Sequence, residues 1–382
     1  MSSPRKVLLV GMLDSVHVAK WLWRFDSSLI QFTLFPSKKF KHVHPEIIRY
    51  CRQYPGNVIF GSKFDWQIKI LGYIDFIVYE LFGKLFPSSR VHALKLALRS
   101  SFDYLHAHEV QGAGYLCSQL DQFGNAEFIL SIWGSDLIYF EDLPDHKERI
   151  VETLSKAQSL SAECVRDYKI AKKLGFHGVE LPIIPVSASF NFEANFENLK
   201  PVVDRNLIVV KTYGLPFGRG DLAIAAVARL LDSEVKSSAF FYSVSESLLE
   251  DVKNLENEYP DRVKFTEAKN PIPQADLNRI FREARFYVGA SESDGISTSF
   301  LEALAFGAYP IQTNTSCASE WENLGVTCSI VSLDQESISQ ALQSNYHNFD
   351  YLQHSQDNNF EIAKQYLSDV DISAKALTFY CR

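Results

Sequence analysis

Short apolar runs alternate with amphipathic stretches along most of this chain, the order expected of repeated strand–helix units. Residues 6–10 (KVLLV) form a nearly continuous apolar run ahead of Gly11, which predicts a strand covered on both faces and then a tight turn. Residues 17–25 (HVAKWLWRF) have helical spacing, and residues 30–35 and 58–60 are the next strand candidates. Residues 65–99 are mostly helical in pattern, with Ile68, Leu71, Ile77 and Leu81 set among Lys69, Lys84, Arg90 and Arg99. Residues 103–109, 128–133 and 157–162 read as further strands, and residues 164–174 as a helix that stops at Gly175. The stretch 186–203 is polar, has no clear period and carries no strand or helix signal, so it reads as a linker between two domains.

The alternation then resumes. Residues 207–211, 239–243, 263–265 and 286–289 predict strands, and the strongly apolar residues 221–231 predict a helix. Helical spacing returns over residues 359–379, with nothing in the sequence to say where that segment packs. Two bodies of parallel α/β type follow from this order.

Bulk properties narrow the class. Apolar residues make up 46% and charged residues 22%, which fits a folded globular chain. The six cysteines are scattered without CxxC spacing, which argues for a reducing compartment and against a disulfide framework or a zinc site. No window of about 18 uncharged apolar residues is present, so no transmembrane helix is expected. The N-terminus lacks a signal-peptide layout, and a cytoplasmic location is the expectation. The net charge of −8 is unevenly spread: residues 1–100 carry 15 basic and 6 acidic side chains. That basic front, with its amphipathic stretch over 65–99, points to an anionic membrane surface as a partner; the alternative is a helix packed on the first sheet.

The most informative stretch is 290–313, ASESDGISTSFLEALAFGAYPIQT. It holds Asp294 and Glu302 with seven residues between them, a small flexible run at 295–298, an apolar helix and a Gly stop. A helix that opens on Gly, Ser and Thr offers free backbone N–H groups and a positive dipole end to an anion such as a diphosphate. Lys211 and Arg219 lie at either end of a Gly-rich loop that follows a strand, a second place for phosphate oxygens. In the first body, His106 and His108 share one face of a strand and lie at its carboxyl end, where parallel sheets take ligands. Asp136 follows the strand 128–133 by three residues and is either a reacting or acceptor-binding acid or a helix cap.

These residues resemble the retaining glycosyltransferases of family 4. The likeness is strongest over 207–313, where SESDGISTSFLEALAFGAYPI is similar to the family's Glu-x7-Glu signature, and DYLHAHEVQGAG and SIWGSDL resemble its first-domain strand ends. Asp294 stands where the family's first glutamate is usual, and Trp133 where many members have a histidine. The histidine's role then falls to Asp136, His106 or His108, or is not essential here.

The resemblance implies the GT-B architecture, an α/β fold of two Rossmann-like domains facing across a cleft. It implies an acceptor-side domain over 1–185, a nucleotide-sugar-binding domain over 204–361, and a terminal helix over about 362–382 that packs back on the first. It implies sugar transfer from a UDP- or GDP-sugar to a glycan or lipid-linked acceptor, with bacterial surface-polysaccharide assembly, peripheral on the inner face of the plasma membrane, as the setting by analogy. Asp294 would face the developing oxocarbenium charge, with Asp136 and His108 as further catalytic groups. Lys211, Arg219 and the backbone of Gly295, Ile296, Ser297 and Thr298 would hold the leaving diphosphate, Gly11 and Met12 would cover it, and Glu302 would bind the ribose. No cofactor, no divalent metal and no nucleic acid partner is expected. A sugar-nucleotide epimerase of the same fold and a non-catalytic sugar-nucleotide or glycolipid binder are the alternatives.

Overall fold

The computed structural model describes residues 3–38, 40, 42–54, 89–186, 188–195, 199–233 and 236–382. The chain divides into two units, Met1–Ser187 with Ser373–Arg382, and Ala188–Ile372. Each is built on one parallel sheet, because strands covered by helices on both faces can be apolar on both faces.

In the first unit the strands are β1 (Arg5–Gly11), β2 (Ile30–Pro36), β3 (Tyr104–His108), β4 (Glu127–Ser131), β5 (Ser159–Ser161) and β6 (Val179–Glu180). They lie in the order β2-β1-β3-β4-β5-β6 among the described residues. The apolar run of β1 is fully buried from Val7 to Val10, and Leu105, Ala107, Phe128, Leu130 and Leu160 continue the core across the sheet. Burying one such side chain stabilises the fold by roughly 1.5–3 kcal/mol. The chain passes from β1 to β2 on one side and reaches β3 on the other. Connections therefore diverge at the carboxyl ends of β1 and β3, the place where doubly wound sheets leave a crevice.

The second unit repeats the plan with β7 (Leu207–Lys211), β8 (Ser238–Val244), β9 (Val263–Glu267), β10 (Ala284–Gly289), β11 (Tyr309–Thr313) and β12 (Ser329–Val331). Their order is β12-β11-β10-β7-β8-β9, so the switch falls between β7 and β10. Ile208, Val210, Phe241, Phe286, Val288 and Ile311 are fully buried in its core, beside Ala223, Ala226 and Val227 of the apolar helix Gly220–Leu231.

Several elements depart from the sequence pattern. The helical spacing over 359–379 is two helices, Phe349–Tyr366 and Asp369–Leu377. The break has a local cause: Ser368 Oγ accepts the Asp371 N–H at 3.2 Å and starts the second helix. Helices Pro45–Gln53, Pro144–Lys156 and Gln335–Tyr346 were not marked by the apolar pattern. Ser89–Ala97 is helical as expected, whereas the candidate strand at 58–60 and residues 65–88 of the amphipathic stretch lie outside the described residues. Among the described residues no helix is long and apolar enough to cross a membrane.

Candidate functional site

In the second unit, the switch between β7 and β10 brings together two loops far apart in sequence. The loop after β7 is pinned to the loop after β10 by backbone bonds: Arg219 N–H to Ala290 O at 3.0 Å, Glu292 N–H to Phe217 O at 2.8 Å, and a Gly218–Ser291 bridge. Gly218 is obligatory there, since a Cβ would lie 2.2 Å from the Tyr213 carbonyl oxygen. On the other side Ser291 N–H reaches Thr313 Oγ1 at 3.1 Å, so the acid-bearing loop is held between β7 and β11.

Lys211 is the last residue of β7 and points its amine at this loop, 3.6 Å from Asp294 Oδ2 and 4.6 Å from the centre of the Tyr213 ring. Burial is the largest single influence on the amine and pushes its pKa down, but Tyr213, Asp294, Tyr287 and Glu302 together push it up and prevail. With its pKa raised in this way, the amine is protonated at neutral pH. Asp294 Oδ1 also accepts the Gly295 N–H at 2.9 Å, which fixes the carboxylate at the turn before the helix Thr298–Phe306.

That helix is buried from Ser299 to Phe306 and ends at Gly307, whose φ of 77° is a left-handed cap. At its start, Ser297 forms no side-chain cap bond. Tyr287 Oη lies 3.3 Å from Ser297 Oγ and donates to Gln312 Oε1 at 3.2 Å. The room for that phenol comes from Gly289, where a Cβ would stand 2.4 Å from Tyr287 Oη and 2.2 Å from Gln312 Oε1. Tyr242 donates to Ser299 Oγ from below. Glu302, 3% exposed, accepts the Gln274 side-chain amide at 2.7 Å.

Arg219 is engaged by protein acids. Its Nε and Nη2 meet Asp221 at 3.0 and 2.9 Å, and its Nη1 meets Glu292 Oε1 at 3.2 Å. Asp221 holds Arg219's pKa up and is itself pushed down by the pair. The sequence pattern pointed to Lys211, Arg219, Asp294 and Glu302, and it missed Tyr213, Asp221, Gln274, Tyr287 and Glu292. Glu292 had a signal of its own, an acid two positions before Asp294 on the same loop.

In the first unit, Gly11 at the end of β1 packs against β3: a Cβ on it would lie 3.0 Å from Val18 Cγ2 and 3.4 Å from His108 Cβ. The Met12 carbonyl accepts the Ser15 N–H at 3.1 Å in the turn that follows. His106 and His108 are fully buried, with ring centres 4.4 Å apart. His106 is saturated by Tyr380 and Ser131, whereas neither ring nitrogen of His108 has a hydrogen-bond partner. Trp21 and Trp133 flank His108 at 5.2 and 4.9 Å, and the Trp133 indole nitrogen is likewise buried without a partner. Burial pushes the His106 pKa down to about 3 and that of His108 well below its ordinary range, so both rings are neutral at pH 7.

Asp136 is bound to backbone N–H groups of two segments. Its Oδ2 accepts the Trp133 N–H at 2.8 Å and the Val110 N–H at 3.1 Å, tying together the segments after β4 and β3. Burial, and then the neighbouring Glu109 carboxylate, push its pKa well up. Glu109 has the unusual φ of 77° and clamps the N–H groups of Gly112 and Ala113, both at 2.7 Å. A non-glycine residue there is strained, and the two bonds accepted by its carboxyl group offset the strain.

No protein-family model matches the chain, and no curated protein matches it in sequence. Solved structures do. Anabaena HepE in complex with UDP-glucose superposes with a TM-score of 0.69 over 98% of both chains at 12% identity. Sucrose-phosphate synthase from Thermosynechococcus elongatus gives 0.70 over 99% of this chain and 98% of that one at 13% identity. A glycosyltransferase from Rickettsia africae gives 0.67 with the same coverage at 13% identity. The fold is thus the two-domain α/β architecture of GT-B glycosyltransferases.

Proposed function

We propose that this chain is a glycosyltransferase that moves a sugar from a nucleoside-diphosphate donor to a hydroxyl of a glycan or lipid-linked acceptor. One arrangement carries the reading: Lys211 and Asp294, 3.6 Å apart at the switch between β7 and β10, stand before a helix whose N-cap residue, Ser297, makes no side-chain cap bond. A protonated amine beside backbone N–H groups suits the charge that builds on a leaving diphosphate. A carboxylate next to them suits the positive charge that develops at the anomeric carbon of the sugar.

The roles follow from these positions. Lys211, Arg219 and the backbone of Gly295, Ile296, Ser297 and Thr298 bind the diphosphate, and Glu302 binds the ribose. Asp294 faces the sugar and lies 3.6 Å from the Lys211 amine, so donor phosphate competes with a carboxylate for that amine. Fixed cations do the work that a divalent ion does elsewhere, and none is given a role. The UDP-glucose held by Anabaena HepE favours a UDP-sugar over a GDP-sugar. Retention of configuration, membership of family 4, and work on bacterial surface glycans at the inner membrane face belong to the same proposal. In the first unit, neutral His108 is assigned to the sugar or acceptor.

Asp294→Asn tests it. Asparagine keeps the shape and still accepts the Gly295 N–H, but loses the charge. Turnover with a panel of UDP- and GDP-sugars, with and without lipid-linked acceptor, is expected to fall on the order of 100-fold. UDP affinity by calorimetry stays close to wild type. Wild-type turnover in the variant removes Asp294 from the chemistry.

A further inference from the structure

Beside His108 runs a chain of hydrogen bonds whose direction can be read from its chemistry. Trp21 Nε1 lies 3.0 Å from Tyr380 Oη, and Tyr380 Oη lies 2.6 Å from His106 Nδ1. His106 Nε2 lies 2.7 Å from Ser131 Oγ, which lies 2.7 Å from Ser161 Oγ. An indole nitrogen only donates. Tyr380 Oη therefore accepts from Trp21, and its own proton is left for His106 Nδ1. Nδ1 is then an acceptor, so the single proton of the neutral ring sits on Nε2 and goes to Ser131, whose hydroxyl can pass the direction on to Ser161. The reverse tautomer leaves the Tyr380 hydroxyl proton without an acceptor in a fully buried place, which is costly.

Tyr380 is held hard against this network. It is fully buried, its backbone carbonyl accepts the Tyr104 hydroxyl at 3.0 Å, and its ring packs on Phe25, Phe32 and Tyr104. Phe379 packs on Trp21 at 5.3 Å, and Arg382 donates to Ser159 Oγ at 3.0 Å. Phe379 and Tyr380 are thus part of the first unit's interior. Trp21 and His106, the two rings that Tyr380 bonds, are also packed edge-on against His108, at 5.2 and 4.4 Å.

We propose that Tyr380 is a positioning residue: through Trp21 and His106, which it locks in the Nε2–H tautomer, it sets the orientation of His108. This rests on the assignment of His108 to the sugar or acceptor. The two ring neighbours differ, His106 saturated, His108 with both nitrogens buried and without a hydrogen-bond partner.

The test is Tyr380→Phe in the full chain, which removes one hydroxyl and keeps the packing. Nitrogen-resolved imidazole NMR is expected to show His106 as the Nε2–H tautomer in the wild type and as a mixture in the variant, with the His108 ring signals displaced as well. Turnover falls on the order of 10-fold, as when an orienting partner is lost, while UDP affinity, which belongs to the second unit, does not change. His106→Gln, whose amide both accepts and donates, retains most of the turnover, and His106→Leu loses as much as Tyr380→Phe. A wild-type His106 protonated on Nδ1, or His108 signals unmoved in Tyr380→Phe, overturns the inference. If no sugar nucleotide is turned over at all, the enzyme reading fails, and the NMR result still decides whether Tyr380 orients His108.

Discussion

Arg219 meets any donor with its nitrogens already shared between Asp221 and Glu292. Such half-exposed pairs contribute little to stability, roughly 0–1 kcal/mol each. A guanidinium beside a diphosphate is worth more, because its fork binds two oxygens at once and both partners are charged. The two effects separate cleanly in Arg219→Ala. We expect affinity for UDP to fall by about 2 kcal/mol, roughly 30-fold, while the urea midpoint barely moves. Isothermal titration beside chemical denaturation reads both numbers. Undiminished affinity with lost stability would make Arg219 a loop clamp and nothing more. Sequence pattern alone could not distinguish these roles, since Glu292, 73 positions away, becomes a partner only when the loops after β7 and β10 are laid side by side.

The helix Thr298–Phe306 owes its placement to a residue at its far end. Arg205, fully buried, donates from Nη1 to Phe306 O at 2.9 Å and to Ala284 O at 3.0 Å, and from Nε to Lys200 O at 2.7 Å. Burial pushes its pKa down to about 10, so it remains charged at neutral pH, a cation at the helix's negative end. Arg205→Met keeps the stem and strips the donors, taking the guanidinium from the buried Ala284 and Phe306 carbonyls and leaving the half-buried Lys200 carbonyl to Gln356 Nε2 alone, at 3.3 Å. The expected loss is about 3–5 kcal/mol in urea unfolding; a loss below 1 kcal/mol would mean that those carbonyls find other donors. Nothing in the sequence marks Arg205 as more than a surface cation before β7. The strands themselves were legible where both faces are buried, as in β1 and β7, since a covered parallel strand must be an apolar run. β6, whose two residues are exposed, and β12, half-buried at the sheet edge, carry no such run and were missed. The candidate site divides in the same way. Asp294, Lys211 and Glu302 were visible from their order around a strand, a turn and a helix, whereas the bond between His106 and Tyr380 spans 274 positions and has no local signature.

At the scale of the molecule, the buried titratable groups set how the two units answer to pH. The first unit holds His106, with a pKa of about 3 against an ordinary value of 6.5, and His108, shifted the same way by burial. Between those values the unfolded chain binds a proton that the native ring refuses. Stability is therefore fully present above about pH 6.5 and declines as pH falls, by at most about 1.4 kcal/mol per unit for one group. Asp136 and Glu109 face the other way: burial raises them, so their native forms hold protons that the unfolded chain has released, and they favour the fold as pH falls. The net acid slope of the first unit is a difference of these terms, so the wild-type curve alone cannot assign it. His106→Gln removes one titration and keeps the hydrogen-bonding pattern. The stability gap between wild type and this variant should shrink by about 2 kcal/mol, in the wild type's disfavour, between pH 7 and pH 5. Arg205 in the second unit titrates only near pH 10 and adds nothing in that window. Urea titrations of both proteins at the two pH values read the gap directly. A gap independent of pH would mean that His106 gains a proton in the folded chain as readily as in the unfolded one.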